Sequence, residues 1–150
     1  MLRNFHDIRA GVAGTLLVLL LAVLLGGCAD RDQLSEQERA ALEQRVRERW
    51  QTLVDRDFEK TWEYSTPAFR RIFSKSLYLG NFSYATEWEL TGIEVLNYDA
   101  RAAVASVAVR VMSKPIKQTS AASMALGAIP YTFREKWLNI DGQWWYSANY

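Results

Sequence analysis

The stretch Trp137-Leu138-Asn139-Ile140-Asp141-Gly142-Gln143-Trp144-Trp145 decides the fold of this 150-residue chain. Its central Asp-Gly pair is a strong signal for a two-residue turn between antiparallel strands. The segments on either side, residues 131–140 and 143–150, therefore predict a β-hairpin. The turn therefore assigns each residue of one strand a partner residue on the other strand.

The turn sets a register in which one face of the hairpin is aromatic apart from a single acid. Asn139 then lies opposite Trp144, and the aromatic face carries these residues: Phe133, Glu135, Trp137, Tyr146 and Tyr150. The opposite face carries these: Arg134, Lys136, Leu138, Ile140, Trp145 and Ser147. Because aromatic side chains bury large areas, we expect the aromatic face to meet the rest of the core.

Two further strands are predicted upstream of the hairpin. Residues 103–111 alternate Ala and Val with smaller or polar residues, and residues 88–96 show a weaker alternation on both faces. Residues 113–130 are low in charge and rich in Ala, Ser and Pro, which predicts a long connection with a helical turn at 120–126. Loops of this length inside small domains are often functional.

The residues before these strands have helical periodicity. Ser35 and Glu38 form a capping-box pattern that starts a helix. One apolar stripe follows, made of Leu42, Val46, Trp50, Leu53 and Val54. The charged residues predict a solvated face: Glu43, Arg45, Arg47, Glu48 and Arg49. Shorter helices are predicted around 58–62 and after Pro67. Helices followed by antiparallel strands indicate the α+β class.

Residues 1–27 predict an export signal, with Arg3 and Arg9 ahead of a long apolar run. The run ends in Leu25-Gly26-Gly27-Cys28, which resembles the lipobox of bacterial lipoproteins. The alternative is an uncleaved membrane anchor, since the uncharged run from Ala10 to Ala29 is about as long as the ~20 residues that cross a bilayer. The lipobox interpretation is favoured because the only cysteine directly follows the helix-weakening glycine pair.

The lipobox resemblance implies that the Cys28 thiol takes a diacylglycerol, that the chain is cut before it, and that the new amine is acylated. Two or more acyl chains anchor a protein stably in a membrane. Residues 28–34 would then be the lipidated cysteine and a tether, and residues 35–150 a single domain facing the periplasm. Ala29, in place of an aspartate, favours sorting to the outer membrane, and the inner membrane is the alternative.

Loss of the export signal would balance the charge of the chain. The sequence has 18 Lys and Arg against 17 Asp and Glu, and residues 1–27 contain Arg3, Arg9 and Asp7. The mature chain therefore carries equal numbers of basic and acidic residues and no basic stripe. We expect no nucleic-acid partner, because such partners require clustered positive charge.

The domain is similar to the nuclear transport factor 2-like, cystatin-like superfamily, in particular its small bacterial lipoprotein members. Besides the last hairpin, the resemblance rests on one run: Asp57-Phe58-Glu59-Lys60-Thr61-Trp62-Glu63-Tyr64-Ser65-Thr66-Pro67-Ala68-Phe69-Arg70. It covers about residues 36–150 and implies helices packed on a curved antiparallel sheet, which leaves a cone with an open mouth. The superfamily contains enzymes, binding modules and assembly subunits, so the resemblance implies a fold more than an activity.

The mature chain lacks the residues of several common chemistries. His6 is the only histidine and lies in the export signal, and the only thiol is Cys28. This excludes Ser-His-Asp and Cys-His catalysis and zinc sites built on His or Cys. We expect no metal, no cofactor and no enzymatic activity.

The favoured function is a non-catalytic envelope module that binds an apolar ligand or an envelope protein. The residues expected to line a ligand site are Trp62, Tyr64, Trp88, Glu135, Trp137 and Trp144. The alternative is a small enzyme of the SnoaL or ketosteroid-isomerase type. Resemblance to those enzymes implies a carboxylate base in an apolar cone. Glu135 is the best candidate for that base and Glu94 the next. The competing role for Glu135 is an ion pair with Lys or Arg, or a place at the rim of the sheet.

Overall fold

The computed structural model describes residues 32–82, 86–116 and 120–148. The predicted export signal and Cys28 lie outside these ranges, as does Tyr150. No helix within them is both long enough and apolar enough to cross a bilayer.

Helices come first and strands follow, so the predicted α+β class is confirmed. The helices are α1 (Glu36–Val54), α2 (Phe58–Glu63), α3 (Pro67–Ile72), α4 (Lys75–Leu79) and α5 (Ala121–Leu126). The strands are β1 (Thr86–Asp99), β2 (Val104–Pro115), β3 (Ile129–Ile140) and β4 (Gln143–Tyr146). They form one open antiparallel sheet in the order β1-β2-β3-β4.

The long helix α1 begins as its sequence predicts. The Ser35 amide donates to Glu38 Oε2 at 2.9 Å, and the Glu38 amide donates to Ser35 Oγ at 3.3 Å. This capping box satisfies two backbone donors that the first turn of a helix leaves unpaired. Buried apolar residues of α1 then face the sheet: Leu42, Val46, Trp50 and Leu53.

Helices α2, α3 and α4 each begin at a side chain that caps the helix. Asp57, Thr66 and Ser74 accept hydrogen bonds from the backbone amides three residues further along the chain. Pro67 occupies the first turn of α3, where its missing N–H is not needed. Helix α4 was not predicted, although Ser74 supplies the capping signal for it.

The final hairpin has the predicted turn and register. Asp141 and Gly142 have φ values of 53° and 79°, as a type I′ turn requires. Trp137 pairs with Tyr146, and Asn139 pairs with Trp144. Strand β4 ends at Tyr146, earlier than predicted, and the ladder continues only through the Ser147 amide, which donates to the Lys136 carbonyl at 2.9 Å.

The two edges of the sheet differ. Along β1 the register with β2 shifts between Leu90 and Gly92 and between Val95 and Asn97. Such β-bulges bend a strand and increase its twist. At the opposite edge, β4 is bridged in parallel by Ser65, and the Tyr146 amide donates to the Tyr64 carbonyl at 2.8 Å.

The connection between β2 and β3 is shorter than the predicted loop at 113–130. Strand β2 extends to Pro115 and β3 begins at Ile129, so pairing continues past the expected strand ends. The helical turn expected at 120–126 is confirmed as α5. The core itself lies between α1 and the sheet, where Val107, Val109 and Trp137 are fully buried.

Candidate functional site

A cavity of about 280 Å³ lies between the end of α1, the start of α2 and the sheet. Its apolar wall consists of Trp50, Leu53, Phe58, Phe82, Trp88 and Phe133. Its polar lining consists of Arg49, Asn81, Thr86, Glu135 and Tyr146. Ligand sites in proteins are concave and mostly apolar with a few polar groups, and this volume is near the lower end of their ~300–1,000 Å³ range.

Three rings hold one side of the wall in place. The ring centroids of Trp50 and Phe133 are 5.2 Å apart, and those of Trp88 and Phe133 are 5.4 Å apart. Trp50 and Trp88 meet edge to face at 6.4 Å. Helix α1 contributes Trp50, whereas β1 and β3 contribute the other two rings. The contacts therefore fix the distance between the helix and the sheet at the cavity.

The opposite side of the wall comes from the start of α2 and the segment that follows α4. Phe58, the first residue of α2, stacks on Phe82 with ring centroids 4.4 Å apart. Phe82 also meets the buried ring of Tyr78 edge to face at 4.9 Å. The Asp57 cap fixes the start of α2 and hence the position of Phe58 at the cavity.

Three donors converge on the Glu135 carboxylate in the cavity lining. Arg49 Nη1 and Trp50 Nε1 donate to Oε1 at 2.7 and 3.0 Å, and Trp137 Nε1 donates to Oε2 at 2.9 Å. The side chains of Arg49 and Glu135 are only 6% and 5% exposed. Glu135 thus forms the ion pair with Arg that competed with the catalytic role in the sequence prediction.

The Arg49 guanidinium also contacts the ring of Tyr146, with Cζ 3.6 Å from the ring centroid. Burial by itself would lower the pKa of Arg49, but the attraction of Glu135, Tyr146 and Tyr78 outweighs it and raises the pKa above its usual value. Arg49 therefore stays charged. Its buried Nε has no hydrogen-bond partner among the described residues.

The structure brings two of the six predicted lining residues, Trp88 and Glu135, to the cavity. Trp137 is fully buried beneath it and supports Glu135 through its indole N–H. Trp144 packs in the core, edge to face with Tyr98 at 6.0 Å. Both residues lie on the predicted aromatic face, but α1 covers that part of the sheet, so neither side chain lines the cavity.

Trp62 and Tyr64 also lie away from this cavity. Trp62 Nε1 donates to the Phe73 carbonyl at 3.4 Å, and Arg70 lies 5.4 Å from the Trp62 ring. Helix α2 buries Phe58 and Thr61, so Trp62 faces α3 instead.

Tyr64 caps the end of α2 and lines a separate, polar cavity of about 240 Å³. Burial and Glu48 raise the pKa of Tyr64 above its usual value, against the opposing effect of Arg45, whose Cζ lies 4.2 Å from the ring. Tyr64 and Glu135 therefore line different cavities.

Arg49 is the functional residue that the sequence prediction assigned to the wrong surface. It was placed on the solvated side of α1, yet it is 5% exposed. Arg49 lies seven residues after Leu42 and three after Val46, which is the spacing of a residue within the apolar stripe. This spacing was the available signal, and the charge of the side chain obscured it.

The second base candidate, Glu94, is exposed and forms an ion pair with Arg110 at 2.8 Å. Within residues 32–82, 86–116 and 120–148, no three acidic, His or Cys side chains come close enough to hold a metal ion. The chemical capacity of the cavity is therefore that of an aromatic pocket with one charge-balanced ion pair in its lining.

Comparison with known proteins identifies no family. No protein-family model matches the sequence, and no curated protein matches it. Among solved structures, the chain is similar to the solution structure of a SEC-C motif containing protein from Rhodopseudomonas palustris. The two share 15% sequence identity with a TM-score of 0.44, over 73% of this chain and 77% of that chain. A similarity this distant does not bear on function.

Proposed function

We propose that this protein is a lipid-anchored envelope protein whose domain binds a small apolar ligand without chemically altering it. The observation that carries the binding function is the cavity, because six apolar side chains form its wall and five polar residues complete its lining. A domain that served only as an assembly subunit would have no need of such a space in its core.

The proposed anchor is a lipid on Cys28. It rests on Leu25-Gly26-Gly27-Cys28 following an apolar run, and on the absence of any other cysteine from the sequence. The domain would face the periplasm, at the outer membrane because Ala29 follows the lipidated cysteine. The membrane is then the first partner of the protein, and the apolar ligand, or an envelope protein in its place, is the second.

The finer fold assignment, nuclear transport factor 2-like, is part of this proposal. Three features support it: the order of helices before an antiparallel meander, the two bulges that bend β1, and a cavity between α1 and the sheet. The resemblance of residues 57–70 and of the last hairpin to the superfamily supports it further.

A non-catalytic function agrees with the surroundings of Glu135. A general base must direct a free lone pair at the substrate proton. Both Glu135 oxygens already accept hydrogen bonds, and Oε1 accepts two. The enzyme alternative would have to use the lone-pair site that remains on Oε2 of this buried, ion-paired carboxylate, and Glu94 is exposed and paired with Arg110.

The binding function is tested with N-phenyl-1-naphthylamine, an apolar dye that fluoresces when it leaves water. We expect saturable binding to the domain. Trp88→Ala should weaken it about tenfold, since losing roughly 60 Å² of apolar contact costs about 1.5 kcal/mol. The matched control is Trp62→Ala, which removes a half-buried tryptophan outside the cavity and should leave the affinity unchanged. Absence of binding, or equal losses in the two variants, would contradict the proposal.

A further inference from the structure

An apolar strip continues from the cavity along β3. Phe133, Tyr131 and Ile129 alternate along this regular strand and so share the face on which the cavity lies. Phe133 lines the cavity, and its ring centroid is 4.6 Å from that of Tyr131. Tyr131 and Ile129 are 55% and 47% exposed. Apolar side chains therefore follow one another along this face of β3 from the cavity to the surface of the domain.

The shape of this surface is long and narrow. From Phe133 to Ile129 the strand advances by four residues, which is about 13 Å at the usual rise of a strand. Single exposed apolar residues are common on proteins, but a row that begins in a cavity indicates a binding site. A compact ligand would fill the cavity and leave Tyr131 and Ile129 in water, whereas an elongated ligand would cover them.

The polar end of the ligand has a place in the cavity lining. The polar lining carries no net charge, because Arg49 and Glu135 form an ion pair, and it includes the neutral side chains of Asn81 and Thr86. Glu135 balances the charge of Arg49 at 2.7 Å, so a second carboxylate at this point would be repelled. A neutral hydroxyl or carbonyl oxygen fits both conditions.

Resting on the binding function proposed above, we propose that the ligand is a single unbranched alkyl or acyl chain with a neutral oxygen-bearing end. The oxygen-bearing end lies at the polar lining of the cavity, and the chain leaves the cavity past Phe133 and covers Tyr131 and Ile129. The exposed end of β3 is then part of the binding site. Neither the cavity alone nor the sequence pattern alone would include it.

The test is displacement of the dye by 1-hexanol, 1-octanol, 1-decanol and 1-dodecanol. In the unmodified domain we expect the affinity to rise about fourfold for each added methylene while apolar surface remains to be covered. In the Tyr131→Ser/Ile129→Ser variant the rise should stop earlier, so that 1-dodecanol loses at least about tenfold while 1-hexanol is unchanged. Both substituted side chains are exposed, so the variant should fold normally. Leu96→Ser, at a 41% exposed strand residue outside the cavity, is the matched control.

The outcomes separate this inference from the binding function. If the dye and 1-hexanol bind but longer alcohols bind no more tightly, or if the double variant keeps the full chain-length dependence, the alkyl-chain inference is overturned and the binding function stands. If neither the dye nor any alcohol binds, both fall. If the double variant lowers the oligomeric mass measured by sedimentation without changing the alcohol affinities, the strip is an interface between copies. The alkyl-chain inference is then overturned.

Discussion

At the scale of single residues, the buried pair Arg49–Glu135 determines the character of the cavity. Arg49 Nη1 and Glu135 Oε1 are 2.7 Å apart, and both side chains are almost fully removed from water. Moving two charges into the protein interior is costly, and hydrogen bonds from Trp50 and Trp137 offset part of that cost here. The pair places two opposite charges in the lining of a cavity whose wall is mostly aromatic.

Removing one member of this pair should destabilise the domain strongly. Glu135→Leu leaves the Arg49 charge and two indole N–H groups buried without their acceptor, so we expect a loss of about 3–5 kcal/mol in the free energy of unfolding. Urea unfolding followed by tryptophan fluorescence measures it. The matched control is Glu94→Leu, which breaks an exposed pair and should cost less than about 1 kcal/mol. Similar losses in the two variants would contradict the prediction that the buried pair contributes more to the free energy of unfolding than the exposed pair does.

At the scale of secondary-structure elements, the sequence predicts a helix start or a turn correctly where one short segment determines it. The capping box of α1, Pro67 at the start of α3 and the turn at Asp141-Gly142 all lie where the sequence predicts. The cavity was harder to predict because it joins residues from distant segments. Arg49 and Glu135, for instance, are 86 residues apart, and although the spacing of Arg49 within α1 indicates its burial, nothing in that segment identifies Glu135 as its partner.

The capping box should make the start of α1 sensitive to acid. Hydrogen bonds from the Ser35 hydroxyl and amide lower the pKa of Glu38 below its usual value of 4.5. A lowered pKa in the folded state contributes stability above the unfolded-state pKa, and this contribution is lost as the pH falls through the folded-state pKa. We therefore expect Glu38→Gln to be less stable than the unmodified domain at pH 7, by a few tenths of a kcal/mol because the group is exposed.

The stability difference between these two proteins should vanish as the pH falls below the folded-state pKa of Glu38. Thermal unfolding of both at pH 7 and at several lower pH values measures it. In a Ser35→Ala background, which lacks the hydroxyl, the difference at pH 7 should be smaller. A difference that stays constant over the whole pH range would contradict the role assigned to the capping carboxylate.

At the scale of the whole molecule, the proposal joins a lipid anchor to a domain with an apolar cavity. The site is composed of residues from α1, α2, β1, β3 and β4, so it exists only when helices and sheet are assembled. An alkyl-chain ligand would also connect the two parts chemically, because the membrane that holds the anchor is itself a source of such chains.

The anchor is tested by the mass of the mature protein extracted from membranes with detergent. We expect the chain to begin at Cys28 and to carry a diacylglycerol thioether with an acylated amine. Cys28→Ser removes the thiol that accepts the lipid, so the variant should keep an unmodified, uncleaved amino terminus. An intact amino terminus with a free thiol in the unmodified protein would instead indicate a permanent membrane helix.

The uneven edges of the sheet bear on self-association. Ser65 bridges the outer side of β4, so within the described part of the chain β1 is the edge that no further strand pairs with. Two bulges interrupt that edge, and it carries four exposed acidic side chains: Glu87, Glu89, Glu94 and Asp99. Neighbouring copies that approach through β1 would meet mismatched backbones and like charges. Copies of the protein that are crowded on a lipid surface would therefore not pair edge to edge through β1, and they would resist assembly into fibrils.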